Sequence, residues 1–155
     1  MERIREKYGS LDEPRFHFVS TAIDEEPYGD LGRHLRSCAT GFSEDTDDNY
    51  DVSFGCILKK GREVVVVRIS MVGPYAILVR CTDAPCVLIH RSSSPKAEFE
   101  AEVLGCLASE PLTLLGRELL AEPIELKGLV NVEPDQVTHY QALFTDGTAP
   151  WEARR

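Results

Sequence analysis

The sequence predicts an α+β fold, a single domain in which an antiparallel sheet of about four to six strands has helices packed mainly on one face. Three observations support this prediction. The 155 residues are enough for one hydrophobic core, and no repeat, linker or change in composition divides them, so we treat residues 1–155 as one domain. Four short apolar runs rich in β-branched residues lie close together in the middle of the chain. Stretches in which apolar residues recur at helical spacing flank these runs on both sides.

The N-terminal part of the chain predicts two helices and one strand. Residues 2–8 are expected to form a short helix with little apolar surface. In RFHFVSTAI, residues 15–23, Phe16 and Phe18 would lie on one side of an extended chain, and His17 and Val19 on the other. This alternation and the frequent β-branched residues favour a strand. Between Asp30 and Cys38, two leucines and a cysteine recur at i, i+4 and i+7, and this spacing predicts a second helix.

The central part of the chain predicts the sheet. Its apolar runs span residues 52–58, 63–71, 75–81 and 86–90, and the sequences KKGR, GP and TDAP that separate them favour turns. Runs this close together, with such short connections, are typical of an antiparallel meander. The middle runs are apolar on both faces. We therefore expect helices on one face, and a dimer interface or a binding partner on the other.

The C-terminal part predicts two further helices and a strand. Ser94 and Pro95 are the residue types of an N-cap and a first helical position, so a helix is expected to open there. The stretch LTLLGRELLA, residues 112–121, carries leucines at helical spacing. The pattern of residues 137–145 fits a helix or a strand, and its Val, Thr and Tyr residues favour the strand.

Charge and composition limit the classes of partner and of compartment. The formal net charge is −9, which argues against direct binding to nucleic acid or to an anionic membrane, because both require a basic face. No apolar run approaches the roughly 18–20 residues that a membrane span needs. The charged segment MERIREKYGS lacks the apolar stretch of a signal peptide, so we expect a cytoplasmic protein. Its five scattered cysteines are then expected to be reduced.

The negative charge is concentrated between residues 24 and 51, where nine acidic residues accompany only two arginines. The densest part is EDTDDNYD, from Glu44 to Asp51, with five carboxylates in eight residues. It fails as an EF-hand loop, because Tyr50 stands where glycine is required and Cys56 where glutamate is required. A run this polar is also expected to be uniformly solvated, which argues against catalytic carboxylates with separated pKa values.

The acidic stretch therefore either keeps the surface solvated or attracts a basic partner. Two tyrosines among the carboxylates favour the second interpretation, since aromatic anchors supply contact energy while charges steer the encounter. The candidate partner-binding residues are Tyr28, Asp30, Glu44, Asp45, Asp47, Asp48, Tyr50 and Asp51.

Two alternative functions remain open. Cys81, Cys86 and His90 form the pattern C-x4-C-x3-H, which could belong to a metal-dependent enzyme or a small-ligand site. No fourth ligand is visible, and core thiols or thiols facing each other across a hairpin are the simpler interpretation. The chain could instead be a dimerisation module whose apolar strands a second copy covers. We expect no catalytic residue, cofactor or metal.

The segments SMVGPY, residues 70–75, and LFTD, residues 143–146, precede a closing Pro150 and Trp151. With them, residues 52–152 resemble the immunity proteins of bacterial polymorphic toxin systems. The resemblance implies a small, acidic, cytoplasmic α+β protein that neutralises a cognate toxin by tight binding, with no catalytic residues to carry over. The expected function is therefore a non-catalytic immunity protein that binds a toxin with a basic surface, for which a nuclease is one candidate.

Overall fold

The structure, a computed structural model, describes residues 2–83, 85–90 and 94–152. Helices and strands of this part of the chain follow one another as α1 (Glu2–Tyr8), α2 (His17–Glu25), α3 (Gly29–Cys38), β1 (Gly41–Glu44), β2 (Ser53–Lys60), β3 (Glu63–Ser70), β4 (Tyr75–Arg80), β5 (Val87–Ile89), α4 (Glu98–Ala108), β6 (Thr113–Leu114), α5 (Arg117–Leu120) and α6 (His139–Leu143). The predicted α+β class is confirmed.

The sheet is mixed rather than purely antiparallel. Strands β1 to β5 form an antiparallel meander in chain order, as predicted for the centre of the chain. The two-residue strand β6 runs parallel to the start of β4, beside Tyr75 and Ala76. At the β2–β3 turn, Gly61 has a φ of +62°, the left-handed conformation that a two-residue hairpin loop requires.

Alternate residues of the central strands enter two hydrophobic cores, one on each face of the sheet. On the first face, Val67 and Leu78 pack in one core with Leu35 of α3 and Val103 of α4. These two helices are the longest in the described part of the chain, and they contact each other. The sequence predicts helices mainly on one face of the sheet, and α3 and α4 cover this face.

The second face is also covered by the chain itself. Ile77 and Val79 of β4 belong to a core that includes Tyr8 of α1, Phe18 of α2 and Phe144 beside α6. Helices therefore lie on both faces, which corrects the expectation of helices mainly on one face. A dimer or a partner is not needed to cover the second face of β4.

Two segments predicted as strands are helices. Residues 17–25 form α2 because Phe18, Val19, Ala22 and Ile23 fall on one side of a helix and pack against the core, so the helical period outweighs the alternation. Residues 139–143 form α6, where the Thr138 N–H donates to the side-chain oxygen of Gln141 at 2.9 Å. This capping box fixes the start of the helix.

Two predicted helices differ in extent. The helix expected to open at Ser94 and Pro95 begins instead at Glu98, with Ala97 as its N-cap. In the stretch 112–121, Thr113–Leu114 pairs with β4, and only Arg117–Leu120 is helical. Helices α1 and α3 were predicted correctly, whereas β1 was not predicted. No helix among the described residues is both long and apolar enough to cross a membrane.

Candidate functional site

The acidic loop between β1 and β2 is an ordered turn. The carbonyl oxygen of Asp47 accepts hydrogen bonds from the N–H groups of Tyr50 (3.0 Å) and Asp51 (2.7 Å). The side chain of Asp47 accepts from the N–H of Asn49 at 3.0 Å, which mimics a backbone turn. These bonds fix the direction in which the exposed side chains of Asp48 and Tyr50 leave the loop.

Arg68 of β3 binds two of the loop carboxylates. Its guanidinium donates to Asp51 at 2.9 Å and to Asp45 at 2.8 Å. The Asp51 side chain is only 5% exposed and also accepts from the N–H of Asp47, whereas the Asp45 side chain is 41% exposed. The sequence grouped these two acids with the partner-binding residues. Their carboxylates instead hold the loop onto the sheet.

Gly55 allows the loop to lie this close to β2. Its N–H donates to the Thr46 hydroxyl at 2.8 Å, and its carbonyl oxygen accepts from Asp45 N–H at 2.9 Å. A Cβ at position 55 would overlap the carbonyl oxygen of Asp45. The close backbone approach therefore requires glycine.

The far end of the loop is joined to the C-terminal segment. Asp51 forms an antiparallel bridge with Thr145, and the N–H of Asp146 donates to the carbonyl oxygen of Tyr50 at 2.9 Å. The buried carboxylate of Asp146 accepts from the N–H groups of Val130 (2.6 Å) and Asn131 (3.0 Å). Asp146 thus links the acidic loop to the segment around Val130.

These connections build a first cleft of about 510 Å³ between α2, the acidic loop and the segment 128–130. Three of the five large hydrophobic side chains exposed in the described part of the chain line it: Phe16 (37% exposed), Tyr50 (44%) and Val130 (75%). Asp24 and Asp48 also line it and are exposed. None of the described residues that line this cleft is basic.

A second cleft of about 680 Å³ lies on the other side of the loop, between α3 and strands β1 and β2. Tyr28 lines it and packs edge-on against Phe54, with ring centroids 6.2 Å apart. Burial, and in smaller part the charge of Glu110, raises the pKa of Tyr28. This cleft carries both signs of charge, since Arg33 and Arg36 line it together with acidic residues.

The eight predicted residues do not form one surface. Asp48, Tyr50 and Asp51 line the first cleft, and Tyr28, Glu44 and Asp48 line the second, so Asp48 belongs to both. The remaining three, Asp30, Asp45 and Asp47, line neither cleft.

Ion pairs neutralise part of the acidic region. Asp30 pairs with Arg33 on the surface of α3, and Glu44 lies 3.6 Å from the guanidinium of Arg36. Within the described residues, no ion pair involves the remaining acids of the region, which are Asp24, Glu25, Glu26, Asp47 and Asp48. This unpaired charge lies at the end of α2 and the tip of the loop: Asp24 and Asp48 line the first cleft, and Glu26 and Asp48 line the second.

Sequence reasoning missed the apolar side of the first cleft. The sequence predicts Phe16 and Val19 in a strand, and it predicts no site at the segment GLVNVE, which contains Val130. Its signal is the group of apolar residues Leu129, Val130 and Val132 in a segment for which neither a helix nor a strand is predicted.

The pattern C-x4-C-x3-H does not form a thiolate metal site. Cys81 and Cys86 face each other across the β4–β5 connection and are joined by a disulfide, so neither sulfur is a free ligand. This corrects the expectation that all cysteines are reduced; Cys38, Cys56 and Cys106 are free. His90 packs against Gly116. Among the described residues, no three or more His, Cys, Asp or Glu side chains are grouped so that they could hold a metal ion.

Comparisons of the chain with models of protein families, with curated proteins and with solved structures found no match.

Proposed function

We propose that this chain is a non-catalytic immunity protein that binds and neutralises a bacterial toxin by receiving a basic segment of that toxin in the first cleft. The observation that carries the binding mode is the composition of the cleft. It combines exposed apolar side chains, Phe16, Tyr50 and Val130, with exposed carboxylates, Asp24 and Asp48. Exposed apolar patches of this kind mark interaction sites on soluble proteins.

A lysine or arginine side chain fits this composition in two ways. Its aliphatic stem can cover the apolar lining, while its charged head reaches the carboxylates. A guanidinium can also stack on the exposed ring of Tyr50 or Phe16. An acidic segment would meet only like charges, since the described lining offers no basic side chain.

The ordered loop supports affinity as well as charge complementarity. Asp48 and Tyr50 project from a turn whose ends are fixed by Arg68 and Asp146. A surface held in its binding conformation loses less conformational entropy when a partner docks.

The toxin enters the proposal through the resemblance of residues 52–152 to immunity proteins. A nuclease is the target class that the charge favours, because its phosphate-binding surface is basic and an acidic protein can occupy it. The partner is thus identified by its basic surface, and the reaction of the toxin is not specified by this chain.

The proposed compartment is the cytoplasm, where such a protein meets the toxin it neutralises. The disulfide between Cys81 and Cys86 makes this part of the proposal testable, because stable disulfides are rare in reducing compartments. Because the cytoplasm is reducing, it should open the disulfide that the structure contains, and trapping the thiols in intact cells with an alkylating agent should then label Cys81 and Cys86. A pair that is fully oxidised in cells would place the protein elsewhere.

The test of the function uses a double charge reversal, Asp24→Lys with Asp48→Lys, because both residues are exposed and neither forms an ion pair with a described residue. Asp45 and Asp51 stay unchanged, since they bind Arg68. The matched control is Glu6→Lys with Glu118→Lys, an equal change in charge at exposed positions that line neither cleft.

Tagged wild-type protein, variant and control are used to retain proteins from a lysate of the source organism at moderate salt. We expect a basic protein that the wild type and the control retain and that the charge-reversed variant loses. That protein should arrest growth when it is expressed alone, and co-expression of the wild type should restore growth. Equal retention by all three proteins, or a captured protein that is harmless, would contradict the proposal.

A further inference from the structure

Two of the free cysteines contact each other through their sulfur atoms. The Sγ atom of Cys38 lies 3.4 Å from the Sγ atom of Cys106. Cys38 is the last residue of α3 and Cys106 lies in the last turn of α4, so the contact joins the ends of the two helices that cover the first face of the sheet. Both residues are half-buried, which leaves them within reach of small reagents.

The third free cysteine offers an internal contrast. Cys56 is buried in β2, and burial raises the pKa of its thiol to about 12. Among the described residues, Cys56 takes part in neither the disulfide nor the close pair of thiols. A thiol in such a setting stays protonated and inert at neutral pH.

We propose that Cys38 and Cys106 form a redox-sensitive thiol pair, which a low-molecular-weight disulfide oxidises to a second disulfide that ties α3 to α4. To bond, the sulfur atoms must move from contact at 3.4 Å to the disulfide bond length of about 2.05 Å. Cys38 can make this movement because α3 ends at this residue, and Ala39 continues in extended conformation.

The reaction is a thiol–disulfide exchange that consumes one molecule of the oxidising disulfide. The thiolate of Cys38 attacks one sulfur of the reagent, forms a mixed disulfide and expels the first small thiolate. Cys106 then loses its proton, attacks the Cys38 sulfur and expels the second small thiolate. Two electrons and two protons pass from the protein to the reagent, which leaves as two thiol molecules.

The surroundings favour Cys38 as the sulfur that reacts first. Burial, and in smaller part the neighbouring Cys38 thiol, raises the pKa of Cys106 to about 11, so at neutral pH it is a protonated thiol. The ammonium of Lys60, held by Glu102 at 2.7 Å, lies close enough to interact with a Cys38 thiolate.

The new bond would fix one wall of the second cleft. Helix α3 supplies Arg33, Leu35 and Arg36 to that cleft, and its C-terminal end is where Cys38 meets α4. The first cleft does not include α3, so oxidation at this pair is independent of the proposed binding of a basic segment there.

The experiment begins with fully reduced full-length protein. The protein is equilibrated in buffers with increasing ratios of oxidised to reduced glutathione and quenched with an alkylating agent. A glutamate-specific protease then separates Cys38 from Cys56 at Glu44, and mass spectrometry identifies the linked peptides. The re-formed disulfide between Cys81 and Cys86 shows that the buffer was oxidising enough.

We expect a cross-linked peptide pair containing Cys38 and Cys106 in the wild type and in the control Cys56→Ser. In Cys106→Ser the same buffers should leave a single glutathione on Cys38, because no resolving thiol remains. The oxidised wild type should also unfold at a higher denaturant concentration than Cys106→Ser treated in the same way. The inference fails if Cys38 and Cys106 both carry the alkyl label, or separate glutathione molecules, once Cys81 and Cys86 are linked.

Discussion

At the scale of single residues, Arg68 shows why the acidic stretch is not uniformly available to a partner. Its guanidinium compensates Asp51, which is buried, and Asp45, which is half-exposed. Two of the eight acids and tyrosines that sequence reasoning grouped together are thereby used inside the molecule. The sequence could not show this, because Arg68 lies 17 residues after Asp51 and only the register of β2 against β3 brings them together.

Replacing Arg68 should be costly, because it leaves the Asp51 carboxylate buried without its cation. We expect Arg68→Met to lower the free energy of unfolding by about 3–5 kcal/mol, the usual cost of breaking a buried ion pair. Chemical denaturation monitored by circular dichroism measures this loss. Arg33→Met breaks the exposed pair with Asp30 and should cost at most about 1 kcal/mol. Equal losses for the two variants would contradict the role assigned to Arg68.

Two buried tyrosines make the fold sensitive to alkaline pH. Burial raises the pKa of Tyr140 to about 12, and burial also raises the pKa of Tyr8, whose hydroxyl donates to the carbonyl oxygen of Ala142 at 2.9 Å. A raised pKa means that the folded state binds the phenol proton more tightly than the unfolded state. The stabilisation is therefore complete below the ordinary tyrosine pKa of 10.0 and is lost as the pH rises from there through the folded-state values.

We expect the free energy of unfolding to fall between about pH 10 and pH 12 by up to ~1.4 kcal/mol per pH unit for each tyrosine. Urea titrations at a series of pH values measure this slope. Tyr140→Phe removes one ionising group and should reduce the slope in that window, even if it also changes stability at neutral pH. A slope unchanged in Tyr140→Phe would show that other groups control alkaline unfolding.

At the scale of elements, α4 offers a direct comparison between a buried and an exposed ion pair. Glu100 is bonded to Arg80 of β4 through both carboxylate oxygens, at 2.7 and 2.8 Å, and its side chain is 3% exposed. Glu102, two residues further along the same helix, pairs with Lys60 of β2, and both of these side chains are more than one-third exposed. Both pairs join α4 to the sheet, but only the first is withdrawn from water.

The two pairs should therefore respond differently to the same substitution. Glu100→Gln removes the charge that Arg80 needs, and we expect a loss of about 3–5 kcal/mol in the free energy of unfolding. Glu102→Gln should change it by at most about 1 kcal/mol, because water screens that pair. Denaturant titrations measure both changes in the free energy of unfolding from the shift in midpoint, provided that the dependence of this free energy on denaturant concentration is the same in wild type and variant. A larger loss for Glu102→Gln would contradict the greater contribution assigned to the buried pair.

Elements with a single clear pattern were predictable and elements with two competing patterns were not. The meander from β2 to β5 follows from β-branched runs and short turns, and all four strands were found close to the predicted bounds. In α2 and α6, aromatic and β-branched residues suggested strands. In α2 burial follows the helical period, whereas in α6 all five residues are buried and the capping box at Thr138 fixes the helix. The first cleft was beyond prediction, because it joins α2, the acidic loop and the segment 128–130, which are distant in sequence.

At the scale of the whole molecule, the net charge of −9 is expected to control how fast a basic partner arrives. Association with the captured partner should slow as salt increases, while dissociation should change little, since screening acts mainly on the encounter. Stopped-flow or biosensor kinetics at low and moderate salt separate the two rates. Reversing Asp24 and Asp48 should slow association and flatten its dependence on salt. An association rate that does not respond to salt would remove charge steering from the proposed function.

The link made by Asp146 has a consequence for when the protein becomes active during its own synthesis. Strands β1 to β5 and the acidic loop precede residue 90, whereas Asp146, which holds the segment that carries Val130 to the loop, is synthesised later. A ribosome-bound chain that ends before this residue can complete the meander without completing the first cleft. Partner binding should therefore begin only after the segment around residue 146 has emerged from the ribosome. Chains arrested before and after residue 146 would reveal that step.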